Sequence, residues 1–462
     1  MATIPRWTRL VNPHLLDDPK VQNVLSPAIV EAHCRQAGHA WRDSFWSPTP
    51  TLIAFLIQVL SGAKTLRAGV AQFLTHLTAC GQTDLPSADP TAYCQARKRL
   101  PAEVIYELLS DLCDRMLSLV QETQTWLGHR VWVVDGSSAS MPDTPELQEA
   151  FPQPVGQKPG CGFPVAQIVA VFCWATGAVV DLVMDTIVPH ELTLVRRLYE
   201  YFRPGDVVLA DRAYGAYVDI ARLWQRGVFC VFRLHQRRRS DFRQGKGLGP
   251  DDRLVTWHRP AKWIDSFGVS REAFEALPET LTVRLVRITN VPRGFRSRTV
   301  TVVTTLLDPI ATPADEIRAL YRDRWTVELN LRSLKIALGM DILRGQSVDV
   351  VCKEIAMHLL AYNLIRMVMW YAAREHGRDL HRLSFTGTLH RLRSALSWMM
   401  YRMPERCRHS VGTHLLRSVA QDVLPYRPDR LEPRRVKRRP KQYRLLVKPR
   451  SWYHRQGGQA CA

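Results

Sequence analysis

Near residue 128 the hydrophobic pattern of this chain changes period, and this change restricts the possible folds more than any other feature. "HRVWVVDGSS" is a short apolar, β-branched run ending at Asp135–Gly136, and "PVAQIVAVFCWATGAVVDLVMD" reads as two further runs around a turn at Thr176–Gly177. A helix is predicted in "HELTLVRRLYEYF", a buried-type strand in "DVVLA" ending at Asp211, a helix in "GAYVDIARLWQRG" and a strand in "VFCVFRL". Three adjacent strands, then helix, strand, helix and strand, predict a mixed sheet with helices on its faces. This is the order expected of an α/β, ribonuclease H-like mixed-sheet core.

The flanking segments read differently. Residues 1–125 are helical in pattern: Ser26 is an N-cap before the periodic "PAIVEAHCRQAG", "TPTLIAFLIQVLSG" runs from a Thr49–Pro50 start to a Gly62 stop, and "TAYCQARKRLP" carries three basic residues, Arg97 to Arg99, at a helix end. Residues 234–308 hold a polar loop and three strand-like runs, "RLVTWH", "LTVRLVRIT" and "RTVTVVTTLL", with no long helix, so they read as a β-rich insertion. Residues 314–338 return to a helix, and "VCKEIAMHLLAYNLIRMVMWYAAREHG" is a second, apolar one. The expected layout is a helical N-terminal region (1–125), a core in two parts (126–233 and 309–375) around the insertion, and a helical, basic C-terminal region (376–462).

Charge narrows the partner. The 462 residues carry 63 Lys+Arg against 43 Asp+Glu, a formal net charge of +20, which draws polyanions and above all nucleic acid. From Arg427 to Arg450 eleven Lys or Arg face only Asp429 and Glu432, and four prolines argue against a regular helix, so the segment reads as an extended basic arm. The ten cysteines are scattered singly, without the paired spacing of a zinc site. The start has no signal-peptide pattern, and the most apolar stretch, Thr51–Leu60, is about half a bilayer span. A soluble, cytoplasmic, nucleoid-associated protein is expected.

The helix at 314–338 contains "YRDRWTVELNLRSLK", Tyr321 to Lys335. At roughly 100° per residue, Tyr321, Arg324, Glu328 and Lys335 fall within a sector of about 60°. Leu320, Val327, Leu331, Leu334 and Leu338 occupy about 220–280° on the same wheel, so the polar stripe borders the buried face. A carboxylate at that border reaches the sheet edge, where Asp135 and Asp211 end two strands, the place where sites form in sheets covered by helices. Three carboxylates in a basic protein suit hard divalent ions. Mg²⁺ takes oxygen ligands and shares them with substrate phosphates, and two such ions activate a water or 3′-hydroxyl and stabilise the departing oxygen of a phosphodiester. Each member also has a structural reading: Asp135–Gly136 as a turn pair, Asp211 as a helix N-cap, Glu328 as an ion pair with Arg324 or Arg332.

These residues resemble the insertion-sequence transposases of the DDE class, the insertion-sequence-four group. Tyr321, Arg324, Glu328 and Lys335 match its Y-x2-R-x3-E-x6-K signature, "VVDGSS" and "LADRAYG" match its two aspartate motifs, and "TAYCQARKRLP" and "RRVKRRPKQY" look like its upstream and C-terminal segments. The resemblance implies Asp135, Asp211 and Glu328 as catalytic metal ligands for two Mg²⁺, with Mn²⁺ as a substitute, and Tyr321, Arg324, Lys335 and Arg212 as DNA contacts. It implies a cut-and-paste enzyme, working as a homodimer on double-stranded DNA at terminal inverted repeats and on target DNA, with no membrane partner. Relatives stack a flipped base on an insertion-domain tryptophan; Trp257 and Trp263 are available here, the segment nearest the signature offers only Phe295, and none is assigned that role. A nuclease without strand transfer, or an inactive DNA-binding relic, are the alternatives.

Overall fold

Val131, Trp132, Val133 and Val134 are each at most 4% exposed, the burial of a strand covered on both faces rather than of one that alternates. They open the first strand of the structure, a computed structural model that describes residues 24–79, 81–120, 124–187, 191–235, 238, 240–265, 268–289, 299–400, 405–425, 443 and 445–455. Along the chain, α1 (Pro27–Gln36), α2 (Pro48–Ser61), α3 (Leu66–Ala79), α4 (Thr91–Arg99) and α5 (Ala102–Ser118) precede β1 (Val131–Ser140) and α6 (Pro145–Ala150). There follow β2 (Val165–Cys173), β3 (Val179–Thr186), α7 (Glu191–Arg196), β4 (Val207–Ala210), α8 (Tyr217–Gln225), β5 (Phe229–Arg233), β6 (Lys246–Gly249), β7 (Asp252–His258), α9 (Arg271–Glu275), β8 (Thr280–Ile288) and β9 (Val300–Thr304). The remainder is α10 (Ala314–Asp323), α11 (Trp325–Arg332), a π-helical turn (Ser333–Ala337), α12 (Val348–Glu375), α13 (Phe385–Met400), α14 (Glu405–Gln421) and α15 (Arg450–Arg455).

The chain divides into two compact units, each discontinuous in sequence. The helical unit gathers residues 1–119, 140–150 and 332–425. Its centre is α12, whose 28 residues make a rod of about 42 Å. Ala356, Met357, Leu360, Ala361, Tyr362, Ile365, Val368 and Met369 on it have no exposed surface. A helix apolar all round needs cover on every side, and α12 packs against α2, α5, α13 and α14. Ser26 caps α1 by accepting the Ile29 N–H, and Gly62 closes α2 at φ 74°, a left-handed conformation that costs glycine nothing.

The sheet unit comprises 120–139, 151–331 and 426–462. Its nine-stranded sheet has the order β3-β2-β1-β4-β5-β9-β8-β7-β6. The pairs β1–β4 and β4–β5 are parallel, whereas β2–β3 and every pair from β5 outward through β9, β8 and β7 to β6 are antiparallel. The runs in 234–308 therefore extend the same sheet, with β6 as a strand the sequence pattern had not marked. On β8, Arg284 is wholly buried and grips Asp252 on β7 through two bonds of 2.8 and 2.6 Å, while it donates to the Thr312 carbonyl at 2.7 Å.

Two expectations are corrected. The strand carrying Asp135 does not end there but continues to Ser140, so Asp135 lies inside β1. The single helix predicted over 314–338 is broken: a tight bond from the Arg324 N–H to the Tyr321 carbonyl ends α10, and the π-helical turn follows α11. One straight wheel does not describe this segment. Its apolar face is nevertheless buried at Leu320, Leu331, Leu334 and Leu338.

Candidate active site

The parallel register of β1 and β4 pairs Val131 with Val207, Trp132 with Val208 and Val133 with Leu209. The pairing ends there, and Asp135 and Asp211 each lie two residues beyond the last pair on their own strand's path. Asp211 keeps an extended backbone, φ −78° and ψ 178°, so the strand geometry persists through it. On the other side, β4 and β5 pair Ala210 with Phe232. Asp211 and Arg233, the last residue of β5, each follow that pair by one residue, and both act on Tyr321.

The two aspartates differ in their surroundings. Asp135 Oδ1 accepts the Gly136 N–H at 2.9 Å. Asp211 precedes a 3-10 turn, Arg212–Tyr214, but its side chain makes no capping bond, and its Oδ1 is buried with no hydrogen-bond partner among the described residues. A capping role is thereby removed. A buried, unpartnered carboxylate oxygen is costly unless a cation satisfies it, and hard divalent ions take oxygen donors of this kind. Asp211 Oδ1 offers one such donor.

Tyr321 and Arg324 come from α10 and the residue that follows it. Tyr321 is 8% exposed. Burial pushes its hydroxyl up to about 12, with Asp211 adding to the rise while Arg324 and Arg233 oppose it. Arg324 lies with its guanidinium carbon 5.8 Å from the Tyr321 ring centre and donates to Glu328 Oε1 at 2.8 Å. Burial works against its charge, but Tyr321, Glu328 and Asp211 outweigh that and hold the guanidinium above its ordinary range. Arg324 Nε is also buried without a partner among the described residues.

Asp211, Tyr321, Arg324 and Glu328 act on one another, with Glu328 engaged by Arg324, and Asp135 belongs to the same unit. Among the described residues no three His, Cys, Asp or Glu side chains gather closely enough to hold an ion. Arg212 is exposed in the turn after Asp211. Lys335 belongs to the π-helical turn of the helical unit. Arg233 was missed by reasoning from sequence, because only the β4–β5 register reveals it.

Of the aromatic residues, Trp257 lies under the Arg238 guanidinium at 3.9 Å, and Trp263 donates its Nε1–H to the Val269 carbonyl at 2.9 Å. Phe295 lies outside the described residues, as does most of the basic arm, 427–442. The described end of the arm contacts the sheet unit, where the Tyr443 ring stacks on Phe163 and the Leu446 N–H meets the Cys161 carbonyl at 2.9 Å.

Comparison with known proteins gives three findings. A family model described as a transposase DDE domain matches residues 126–364. The chain is 26% identical over 364 residues, 78% of each protein, to the transposase InsG for insertion sequence element IS4 of Escherichia coli (strain K12). A cryo-EM structure of the piggyBac transposase synaptic complex with hairpin DNA is similar over 91% of this chain and 83% of that one, at 9% identity and a TM-score of 0.43, too low to establish a common fold.

Proposed function

This chain belongs to the transposase DDE-domain family, and from that premise we propose that it moves a DNA element by divalent-metal-dependent cleavage of the element's ends followed by strand transfer, with Asp135, Asp211 and Glu328 as the carboxylates of the reacting centre. It is a DNA transposase of the DDE type. The observation that supports the site assignment is the buried Oδ1 of Asp211, without a partner among the described residues, with the Arg324 guanidinium bonded to Glu328 and acted on by Asp211. The β3-β2-β1-β4-β5 order supports a ribonuclease H-like core, extended by 234–308 as an insertion. We read residues 1–125 and 376–462 as regions that bind DNA and join two copies into a homodimer, and the cytoplasmic nucleoid as the place of action. Among the described residues no single helix is long and apolar enough to cross a membrane.

Asp135 and Asp211 would hold two Mg²⁺, or Mn²⁺, with Glu328 completing the set, and the chemistry such ions would supply there is activation of a water or a 3′-hydroxyl and stabilisation of the departing oxygen. The chain's own groups do the positioning. Arg324, with an unpartnered Nε, offers a DNA phosphate the planar fork that suits it, and a phosphate there competes with Glu328, freeing its carboxylate. Tyr321, kept protonated by burial, donates a hydrogen bond and carries no charge toward the strand. Arg212 and Lys335 are further phosphate contacts.

The test is a duplex carrying the element's own ends, incubated with the full chain in Mg²⁺ and a target plasmid. Wild type is expected to cut and join, and Glu328→Gln to do neither; cleavage by Glu328→Gln sinks the assignment. Cutting without joining identifies a nuclease instead. Arg233→Ala is expected to lower the cleavage rate about 10²-fold, the scale of losing one well-aimed charge-stabilising group; an unchanged rate removes Arg233 from the site. For the arm, replacing Arg434, Arg435, Lys437, Arg438 and Arg439 with Gln should reduce the slope of log K against log salt by ~4–5, about 0.9 per lost phosphate contact. An unaltered slope means that the arm does not touch DNA.

A further inference from the structure

The helical unit contains a cavity of about 660 Å³ that the cleavage chemistry does not use. Its walls come from α2, α4, the start of α12 and the π-helical turn with the loop after it, all within that unit. Arg97 on α4 is 7% exposed and lines it. Its guanidinium carbon sits 3.7 Å from the Phe55 ring centre, and Nη1 reaches Gln58 Oε1 at 3.5 Å, an acceptor already shared with the Tyr93 hydroxyl at 3.0 Å. Arg97 Nε is buried with no partner among the described residues. A buried guanidinium without a carboxylate against it is expensive to keep.

The remaining charge points the same way. Lys64 and Lys98 stand exposed on the lining, and Arg344 is half-buried there. The one carboxylate on the lining, Glu354, is committed: its Oε2 accepts the N–H groups of Arg344 and Gly345, each at 2.8 Å. Val59, Leu66, Ile336, Leu338 and Val350 supply apolar wall. Exposed lysines on the lining, a buried guanidinium with an unpartnered Nε and an apolar wall of this volume fit a group that is anionic at one end and apolar at the other.

The geometry points to this cavity as a nucleotide-phosphate site, in which Arg97 with Lys64, Lys98 and Arg344 takes a phosphate and the apolar wall takes the attached nucleoside. The ligand is either one nucleotide of a DNA strand or a free mononucleotide. The cavity belongs to the helical unit and the three carboxylates to the sheet unit, and its occupancy needs no cleavage to be seen, so it stands or falls independently of the proposed reaction.

Cys94 lines the cavity and is half-buried, which gives a local reporter. The full chain is treated with iodoacetamide, and alkylation of each cysteine is followed by peptide mass spectrometry, with Cys352 and Cys407, also half-buried, as internal controls. Two probes are used: AMP, and a 5′-phosphorylated single-stranded DNA decamer. At a probe concentration about ten times its Kd, Cys94 should react about tenfold more slowly, since only empty protein is modified, while the control cysteines keep their rates. Protection by AMP identifies a free nucleotide as a sufficient ligand, and protection by the decamer alone identifies a DNA strand. The exposed pair Lys64→Ala/Lys98→Ala should reduce the protection to about twofold or less at the same probe concentration, without the folding risk of changing Arg97. No slowing of Cys94 by either probe at millimolar concentration overturns the proposal, and so does full protection in the double lysine variant.

Discussion

Asp211→Asn is expected to lower DNA-end cleavage by about 10³-fold or more while moving the thermal midpoint by no more than about 2 °C. The substitution keeps the shape of the side chain and removes its charge. Asp211 Oδ1 has no hydrogen-bond partner among the described residues to lose, so the fold has little stake in the carboxylate, and an amide in that place is no more costly. The reaction has a large stake. A carboxylate that holds a divalent ion against the transferring phosphodiester contributes several kcal/mol to the transition state, and roughly 4 kcal/mol is a factor of about 10³ in rate. Paired measurements of cleavage in Mg²⁺ and of unfolding separate the two. Activity within tenfold of wild type would show that Asp211 is not a reacting-centre ligand, and a large fall in the midpoint would show that its role is structural.

Arg284→Leu is expected to act in the opposite manner, with its main effect on stability. Arg284 has no exposed surface, and the side chain of Asp252 is 5% exposed. Removing the guanidinium leaves that carboxylate buried and unpaired and takes a donor from the Thr312 carbonyl, two residues before α10 begins. Breaking a buried pair by deleting one partner typically costs about 3–5 kcal/mol. For a unit of this size that is a fall of roughly 6–20 °C in the midpoint. Because α10 carries Tyr321, the loosened anchor should also reduce cleavage below the new midpoint. Pairing the change with Asp252→Leu should return much of the stability, since well-packed apolar residues often replace a buried ion pair without loss. A single variant that unfolds within about 2 °C of wild type contradicts this account of the sheet's outer half.

The contrast between these residues shows how much was legible in the sequence. Asp211 was visible because a β-branched run with no polar interruption must be buried, and a carboxylate at its end stands out. The strand pattern also predicted β1 to β5 with the intervening helix α8. It did not carry register, and register is what pairs β1 with β4 and β4 with β5 just ahead of Asp135, Asp211 and Arg233. Arg284 was hidden for a related reason: a lone arginine in "LTVRLVRIT" reads as an outward residue until its partner on β7 is known. The break after Asp323 was missed because apolar spacing persists through it, so Leu320 and Leu331 are buried on either side. Nor does local pattern tell that helices from 24–119 and 332–425 share a core; that follows from α12, which needs cover all round and finds it on helices from both ends of the chain.

Metal rescue tests the central assignment most directly. Asp211→Cys in the full chain, assayed on a duplex with the element's ends, replaces a hard oxygen ligand with a thiolate that Mg²⁺ binds poorly and softer Mn²⁺ tolerates better. The account predicts no detectable cleavage in Mg²⁺ and a return of at least about tenfold over that background in Mn²⁺, while Asp211→Ala remains inactive in both. Equal activity of Asp211→Cys in the two metals, or equal inactivity of the cysteine and alanine variants in Mn²⁺, would contradict the claim that Asp211 holds the catalytic ion.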